Sequence, residues 1–215
     1  MSTLTDLTIA VLGGTGPQGR GLARRFADAG LHVVIGSRDA ARAAETAAML
    51  GVQGLDNAGA AAAGDLVIVA VPYAGHADLL QSLATQLAGK VVIDCVNPLG
   101  FDKQGAYAIR PEAGSAAEEA AAILPDSRVV GAFHNVSAVL LEDPEVAAVE
   151  TDVLVLGDDR EATDLVAELA ATIPGVRGIF GGRLRNAFQV EALTANLISV
   201  NRRYKAHAGV RMTDV

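Results

Sequence analysis

Gly13-Gly14-Thr15-Gly16-Pro17-Gln18-Gly19 stands directly after the apolar run Thr8 to Leu12 and just before a stretch with helical spacing. Gly14, Gly16 and Gly19 satisfy the pattern G-x-G-x-x-G. In such a loop the first glycine permits a tight turn, the second lets backbone approach a pyrophosphate, and the third lets helix and strand pack closely. The phosphates then meet the unpaired N–H groups and the positive end of the helix dipole. The plainer alternative is a tight strand-to-helix turn with no ligand. A second β-branched run, His32 to Ile35, leads into Gly36-Ser37-Arg38-Asp39. An NAD-binding chain commonly places an acid there, on the adenosine ribose. Ser37 and Arg38 suit the additional 2′-phosphate of NADP, because a guanidinium grips phosphate bidentately and stacks on adenine. Arg42, one helical turn on, is either a second phosphate cation or a solvated surface charge. Asp39 competes as a ribose ligand, or serves as a helix N-cap.

Reducing an alcohol or imine calls for a proton donor, and the usual ones are missing. The residues four places after Tyr73, Tyr107 and Tyr204 are Ala77, Pro111 and Ala208, so there is no Tyr-x-x-x-Lys pair. Only three lysines occur, Lys90, Lys103 and Lys205. His32, His76, His134 and His207 show no H-x-x-x-H or H-E-x-x-H spacing, which argues against a metal site. His134 opens the polar turn His134-Asn135-Val136-Ser137-Ala138 after the run Val129 to Phe133, where a strand's carboxyl end faces a cofactor cleft. A histidine at a strand end is either a capping residue or a proton donor. Val71-Pro72 and Asn97-Pro98 follow two further apolar runs and would line the same cleft, although their prolines can also simply end strands. Cys95 has no base beside it in sequence and reads as a small core residue.

These residues need a scaffold that brings strand ends together. Asp65 to Val71 and Lys90 to Asp94 are near-continuous hydrophobic runs, as in strands buried on both faces of a parallel sheet. His76 to Leu87 between them reads as a crossover helix, and the alanine-rich segments 40–50 and 115–124 as covering helices. The expected fold is α/β, a Rossmann-type doubly wound parallel sheet, with residues 1–127 as the NADP-binding part. Residues 128–215 form a small C-terminal α/β lobe with strands near 129–133, 153–156 and 176–180, a helix near 160–172 and a long helix from about Leu184 to Tyr204.

The 215 residues are 51% hydrophobic, enough for a substantial core. The longest apolar run, Leu66 to Pro72, falls far short of the roughly 18 residues that cross a bilayer. Met1 to Asp6 has no basic leader pattern, and a single cysteine excludes an internal disulfide, so a reducing cytoplasm is expected. A net charge of −8 and 4% aromatics argue against nucleic acid as a partner. The charge is uneven. From Arg183 onward there are six basic residues, Arg183, Arg185, Arg202, Arg203, Lys205 and Arg211, against Glu191 and Asp214. This cationic end is a landing place for a small anion, a face for a second subunit, or a solvated surface.

The glycine loop, Gly36-Ser37-Arg38, Val71-Pro72, the Phe133-His134 turn, Gly157-Asp158-Asp159 and the closing segment Asn186 to Gly209 together resemble the NADPH-dependent F420 reductases, over nearly the whole chain. The resemblance implies reversible hydride transfer between NADP(H) and the 5-deazaflavin coenzyme F420, in a homodimer with NADP on the Rossmann part and the deazaflavin over the C-terminal lobe. It implies that Thr15, Gly16, Pro17, Gln18, Ser37, Arg38 and Arg42 hold NADP, and that His134, Val136 and Ala138 border the two rings. Ser137 stands where family members often have proline. A transfer between two rings that carry their own electronics needs proximity and dryness, with no obligatory acid or base. The competing readings are an NADPH reductase of a small imine, ketone or flavin, and a non-enzymatic NADP-binding sensor.

Overall fold

The computed structural model describes residues 3–215; Met1 and Ser2, on which the leader reading partly rests, lie outside them. The chain begins with β1 (Thr8–Leu12), α1 (Pro17–Asp28), β2 (His32–Ser37), α2 (Ala40–Leu50), β3 (Gln53–Asp56) and α3 (Asn57–Ala63). It continues through β4 (Leu66–Val69), α4 (His76–Leu87), β5 (Val91–Asp94), a hairpin of β6 (Leu99–Asp102) and β7 (Gly105–Ala108), and α5 (Ala116–Ile123). Then come β8 (Arg128–Gly131), α6 (Ala138–Glu142), β9 (Thr151–Gly157), α7 (Arg160–Ala171), β10 (Val176–Gly182) and α8 (Ala187–Tyr204).

Eight strands form one sheet in the order β10-β9-β8-β5-β4-β1-β2-β3, and the hairpin stands apart. Neighbours are parallel except β8 and β9. The chain winds outward from β1 in one direction through β2 and β3 and in the other through β4 and β5. The crevice between the carboxyl ends of β1 and β4 is therefore the topological switch point at which ligands bind in doubly wound sheets.

Both faces of the sheet are covered, which explains the unbroken apolar runs. Along β1, Ile9 and Val11 join Leu22 and Phe26 of α1 in one core, while Ala10 and Leu12 join Ala60, Leu80 and Ala117 in the other. The helices predicted from alanine content and periodicity all form. Four features escape the sequence pattern: β3, α3, the β6–β7 hairpin and the short α6. β3 and α3 read as polar and small, since Gln53-Gly54-Leu55-Asp56 is an edge strand with no buried residue. The β6–β7 hairpin turns at Lys103-Gln104, where the Asp102 carboxylate accepts from the N–H groups of Gln104 and Gly105 at 2.7 and 3.2 Å.

Residue 128 opens β8, which pairs with β5, so residues 1–127 and 128–215 share one sheet. Its far end is tied down by a buried carboxylate. Asp152 at the start of β9 accepts from Arg177 at 2.7 and 2.8 Å, from Arg211 at 2.8 Å and from the Met212 N–H at 2.6 Å, fastening the C-terminal tail to the sheet edge. No helix among the described residues is long and apolar enough to cross a membrane.

The Arg177 and Arg211 hydrogen bonds hold the Asp152 carboxyl well below the usual carboxylate range, against the opposing effect of burial. A depressed folded pKa means the stabilisation is complete above the unfolded value near 4 and drains away as pH falls below it. Asp152→Asn is expected to cost roughly 3 kcal/mol at pH 7, the scale of a broken buried pair, and to flatten the loss of thermal stability between pH 5 and 3. Melting curves across that range check both.

Candidate active site at the carboxyl ends of the strands

The glycine loop sits at the switch point, but its glycines divide the work differently from the sequence expectation. Gly13 takes the left-handed conformation, φ +73°, so the tight turn rests on it and not on Gly14. Gly14 is required by proximity: a Cβ there would lie 2.5 Å from Ile35 Cγ2 on β2, and its N–H is shared between the carbonyls of Val11 and Gly36. Gly19 would meet the Gly13 carbonyl at 2.7 Å, which is the expected close packing of helix on strand. Gly16 is different. Its Cβ would meet only Gly13 O, at 3.4 Å, and it caps α1 with no side chain, followed by Pro17 at the first helical position. The first turn of α1 therefore offers N–H groups that no side chain occupies, the requirement for a phosphate.

At the end of β2, Ser37 is buried and its hydroxyl accepts from the Asp39 N–H at 3.2 Å. Asp39 is the N-cap of α2, its Oδ1 accepting from the N–H groups of Ala41 and Arg42 at 2.9 and 3.2 Å. Arg38 and Arg42 are exposed, and neither makes an ion pair among the described residues. Two free guanidinium groups thus stand at the carboxyl end of β2. Val71 and Pro72 leave β4 beside the loop, with Val71 Cγ1 2.8 Å from where a Gly13 Cβ would stand.

The turn after β8 is held from three sides. Gln18 Nε2 on α1 donates to the Phe133 carbonyl at 3.2 Å. Asn97 Nδ2, beyond β5, donates to the His134 carbonyl at 2.9 Å, and Thr194 Oγ1 on α8 donates to the same oxygen at 3.1 Å. Asn135 Nδ2 returns hydrogen bonds to Val190 O and Thr194 Oγ1 at 3.0 and 2.9 Å. Val136 is buried in the core on the α1 side, and Ala138 opens α6. Gln18, Asn97 and His134, chosen separately in the sequence, are therefore one hydrogen-bonded unit. His134 is 4% exposed, and neither ring nitrogen has a protein partner. Burial pushes its pKa down to about 4, against weaker upward pulls from Asp94 and the backbone at Cys95 and Val96. It is a neutral imidazole at physiological pH, with hydrogen-bonding capacity unspent.

Sequence reasoning missed a second buried group. His76 Nε2 lies 2.6 Å from Asp94 Oδ2 and its Nδ1 3.4 Å from Glu119 Oε2. Glu191, on the apolar face of α8, accepts from the Ala116 and Ala117 N–H groups at the start of α5, at 3.0 and 3.1 Å. The available signal was a charge in the wrong place: Asp94 closes an apolar run, and Glu191 interrupts one. Cys95 is buried with its thiol donating to Val69 O at 3.1 Å. The basic C-terminal segment is not a single patch. Arg211 is consumed by Asp152 and Glu150, whereas Arg202 and Arg203 line a cavity of about 530 Å³ with Phe101, Gln104 and Ile198, between the hairpin and α8. Among the described residues no group of three or more His, Cys, Asp or Glu side chains is arranged to hold a metal.

A Rossmann sheet with an open phosphate loop, free arginines at the ribose end and a buried turn facing the same crevice defines a dinucleotide-dependent oxidoreductase. Comparison with known proteins narrows the class. The family described as NADP oxidoreductase coenzyme F420-dependent matches residues 8–98. The F420-dependent NADP reductase of Methanothermobacter thermautotrophicus is 43% identical over 97% of this chain and 96% of that protein, and the one of Methanocaldococcus jannaschii 39% identical over 97% and 99%. The crystal structure of a candidate F420-dependent NADP-reductase from Arthrobacter sp. fb24 superposes with a TM-score of 0.85 at 29% identity, covering 96% of this chain and 99% of that one. The chain belongs to the F420-dependent NADP reductase family.

Gly14→Ala and Gly16→Ala should separate scaffold from ligand. The first drives a methyl into Ile35 and should lower the melting temperature by several degrees, on the scale of overpacking at about 1–3 kcal/mol. The second should leave melting nearly unchanged yet weaken NADP binding about tenfold or more, because the methyl meets the protein only at ordinary contact distance from Gly13 O and would stand in the way of the incoming pyrophosphate. Calorimetric melts and NADP titrations read the two effects independently.

Proposed function

We propose that this protein transfers hydride reversibly between NADPH and coenzyme F420, with NADP lying on residues 1–127 and the deazaflavin over residues 128–215. The observation that carries the reading is the His134 turn: a buried, neutral, hydrogen-bonded surface placed against the phosphate loop, with no charged acid–base pair on it. When both are bound, the nicotinamide and the deazaflavin supply the hydride chemistry themselves. The residues present fit the two groups. Gly16 leaves room for the pyrophosphate, Ser37, Arg38 and Arg42 face the 2′-phosphate, and Gly14, Thr15, Pro17, Gln18 and Gly19 shape the loop. Val71, Pro72 and Asn97 wall the nicotinamide end. The free ring nitrogens of His134 and the unpaired Asn97 Oδ1 are buried polar atoms suited to a ring's hydrogen-bonding edge. Val136 and Ala138 border that edge and exclude water, which strengthens every dipole in the site. Arg202 and Arg203 suit the anionic tail of a deazaflavin.

A homodimer is part of the proposal. Phe101, Tyr107 and Ile109 of the hairpin region and Val200 and Tyr204 of α8 are exposed large apolar side chains, and a second copy would cover them. Cytoplasmic residence accords with a single, buried cysteine.

Mixing protein, NADPH and F420 should bleach the deazaflavin absorbance, whereas turnover of a small imine or free flavin in its place would overturn the assignment. Arg38→Ala should weaken NADP binding by roughly 2 kcal/mol, about thirtyfold, while scarcely changing NAD, and equal losses for both would refute the 2′-phosphate role. Sedimentation should give a particle of twice the 22.0 kDa chain mass.

A further inference from the structure

His76 is fully buried, and both of its ring nitrogens face carboxylates: Asp94 on β5 and Glu119 on α5. Asp94 is itself fully buried, and its second oxygen accepts from the Val96 N–H at 3.0 Å. Next in the chain is Asn97, whose side chain grips the His134 carbonyl. A hydrogen-bonded path thus runs from the imidazole through Asp94 and the Val96 backbone to the turn at the candidate site, with Glu119 Oε2 beside the other ring nitrogen at 3.4 Å but not hydrogen-bonded to it.

We propose that His76, hydrogen-bonded to Asp94 with Glu119 beside its other nitrogen, is a positioning residue for hydride transfer: it fixes Asp94, and through Asp94 the Val96–Asn97 turn that presents the His134 loop. The inference rests on the hydride-transfer reading above.

The surrounding carboxylates favour the cation. A carboxylate with no exposure is tolerable only when paired, and the side chains around His76 are otherwise acidic or neutral. Asp94 and Glu119 touch the ring. The Tyr73 ring stands 6.1 Å from it, its phenol held neutral by burial and by Glu119. Glu191 on α8 belongs to the same cluster; burial lifts its carboxyl to about 7, so its charge grows as pH rises past neutrality and favours the imidazolium further. His134, also within reach of the Asp94 charge, stays neutral. Burial alone would lower the His76 pKa, but the Asp94 hydrogen bond and charge, with Glu119 behind them, outweigh it and raise the value. A raised histidine pKa keeps the charged form below that value and loses it as pH climbs through it. The hydride-transfer rate should therefore fall on the alkaline side, where the charge-assisted contact to Asp94 weakens to a neutral hydrogen bond, while NADP, held by the glycine loop and arginines elsewhere, stays bound.

The test combines nitrogen-15 NMR of the imidazole in the wild-type protein without either cofactor with single-turnover rates from pH 6 to 10 for wild type, His76→Gln and Glu119→Gln. Expected are a ring protonated on both nitrogens at pH 6 and an alkaline fall in the wild-type rate. Glu119→Gln should move that fall to lower pH. In His76→Gln the rate should drop about ten- to a hundredfold without that limb, the scale of a small misplacement, with the NADP dissociation constant within about twofold of wild type. A singly protonated ring at pH 6, a limb that Glu119→Gln leaves in place, or equal losses of rate and NADP affinity would overturn the proposal. A wild type that does not reduce F420 at all would instead remove the functional reading, and the NMR result would stand apart from it.

Discussion

The site depends on one backbone conformation that its own residue type resists. Phe133 has φ +63°, in the left-handed region that a bulky side chain enters only at a cost of about 1–3 kcal/mol. That cost is offset on the spot. The ring is fully buried, which contributes about 1.5–3 kcal/mol, and it meets Phe26 of α1 edge-to-face at 6.0 Å, worth about 0.5–1.5 kcal/mol more. Reversing the chain at Phe133 aims the carbonyls of Phe133 and His134 at three separate donors, Gln18, Asn97 and Thr194. The phosphate loop's helix, the strand β5 and the C-terminal helix α8 are thereby locked to one turn.

The far side of that turn is clamped by a cation used for shape. Arg25 is buried in α1 and donates to the carbonyls of Leu140, Leu141, Asp143 and Val146, gathering the orphan acceptors at the carboxyl end of α6. Gly21 lets α6 lie against α1, since a Cβ there would stand 2.6 Å from Leu141 Cβ. α1 consequently does two jobs: its N-terminus opens at the glycine loop, and its body fixes the loop that carries His134.

The sheet and the cofactor loop were legible because their causes are local. Strands buried on both faces must be apolar throughout, as Leu66–Val69 and Val91–Ile93 are, and a phosphate loop must be glycine where backbone approaches backbone. What stayed hidden depends on pairing between distant residues. Nothing in His76-Ala77-Asp78 indicates that its imidazole meets Asp94 and Glu119, which are 18 and 43 positions further on. The cationic tail looked uniform until Arg211 found Asp152 across 59 positions. β3 was invisible because its register on β2 is set by neighbours, with Gly54 present so that α2 can lie against it.

The central claim is that the Phe133–His134 turn sets two rings face to face and that no residue on it carries the transferred hydrogen. NADPH deuterated at the transferring position of its nicotinamide, reacted with F420 in ordinary water and followed by mass spectrometry, tests this most directly. The account predicts that the deuterium is recovered in full on the reduced deazaflavin. Deuterium released into solvent would contradict it, because a side chain would then have to accept and pass on the hydrogen as a proton.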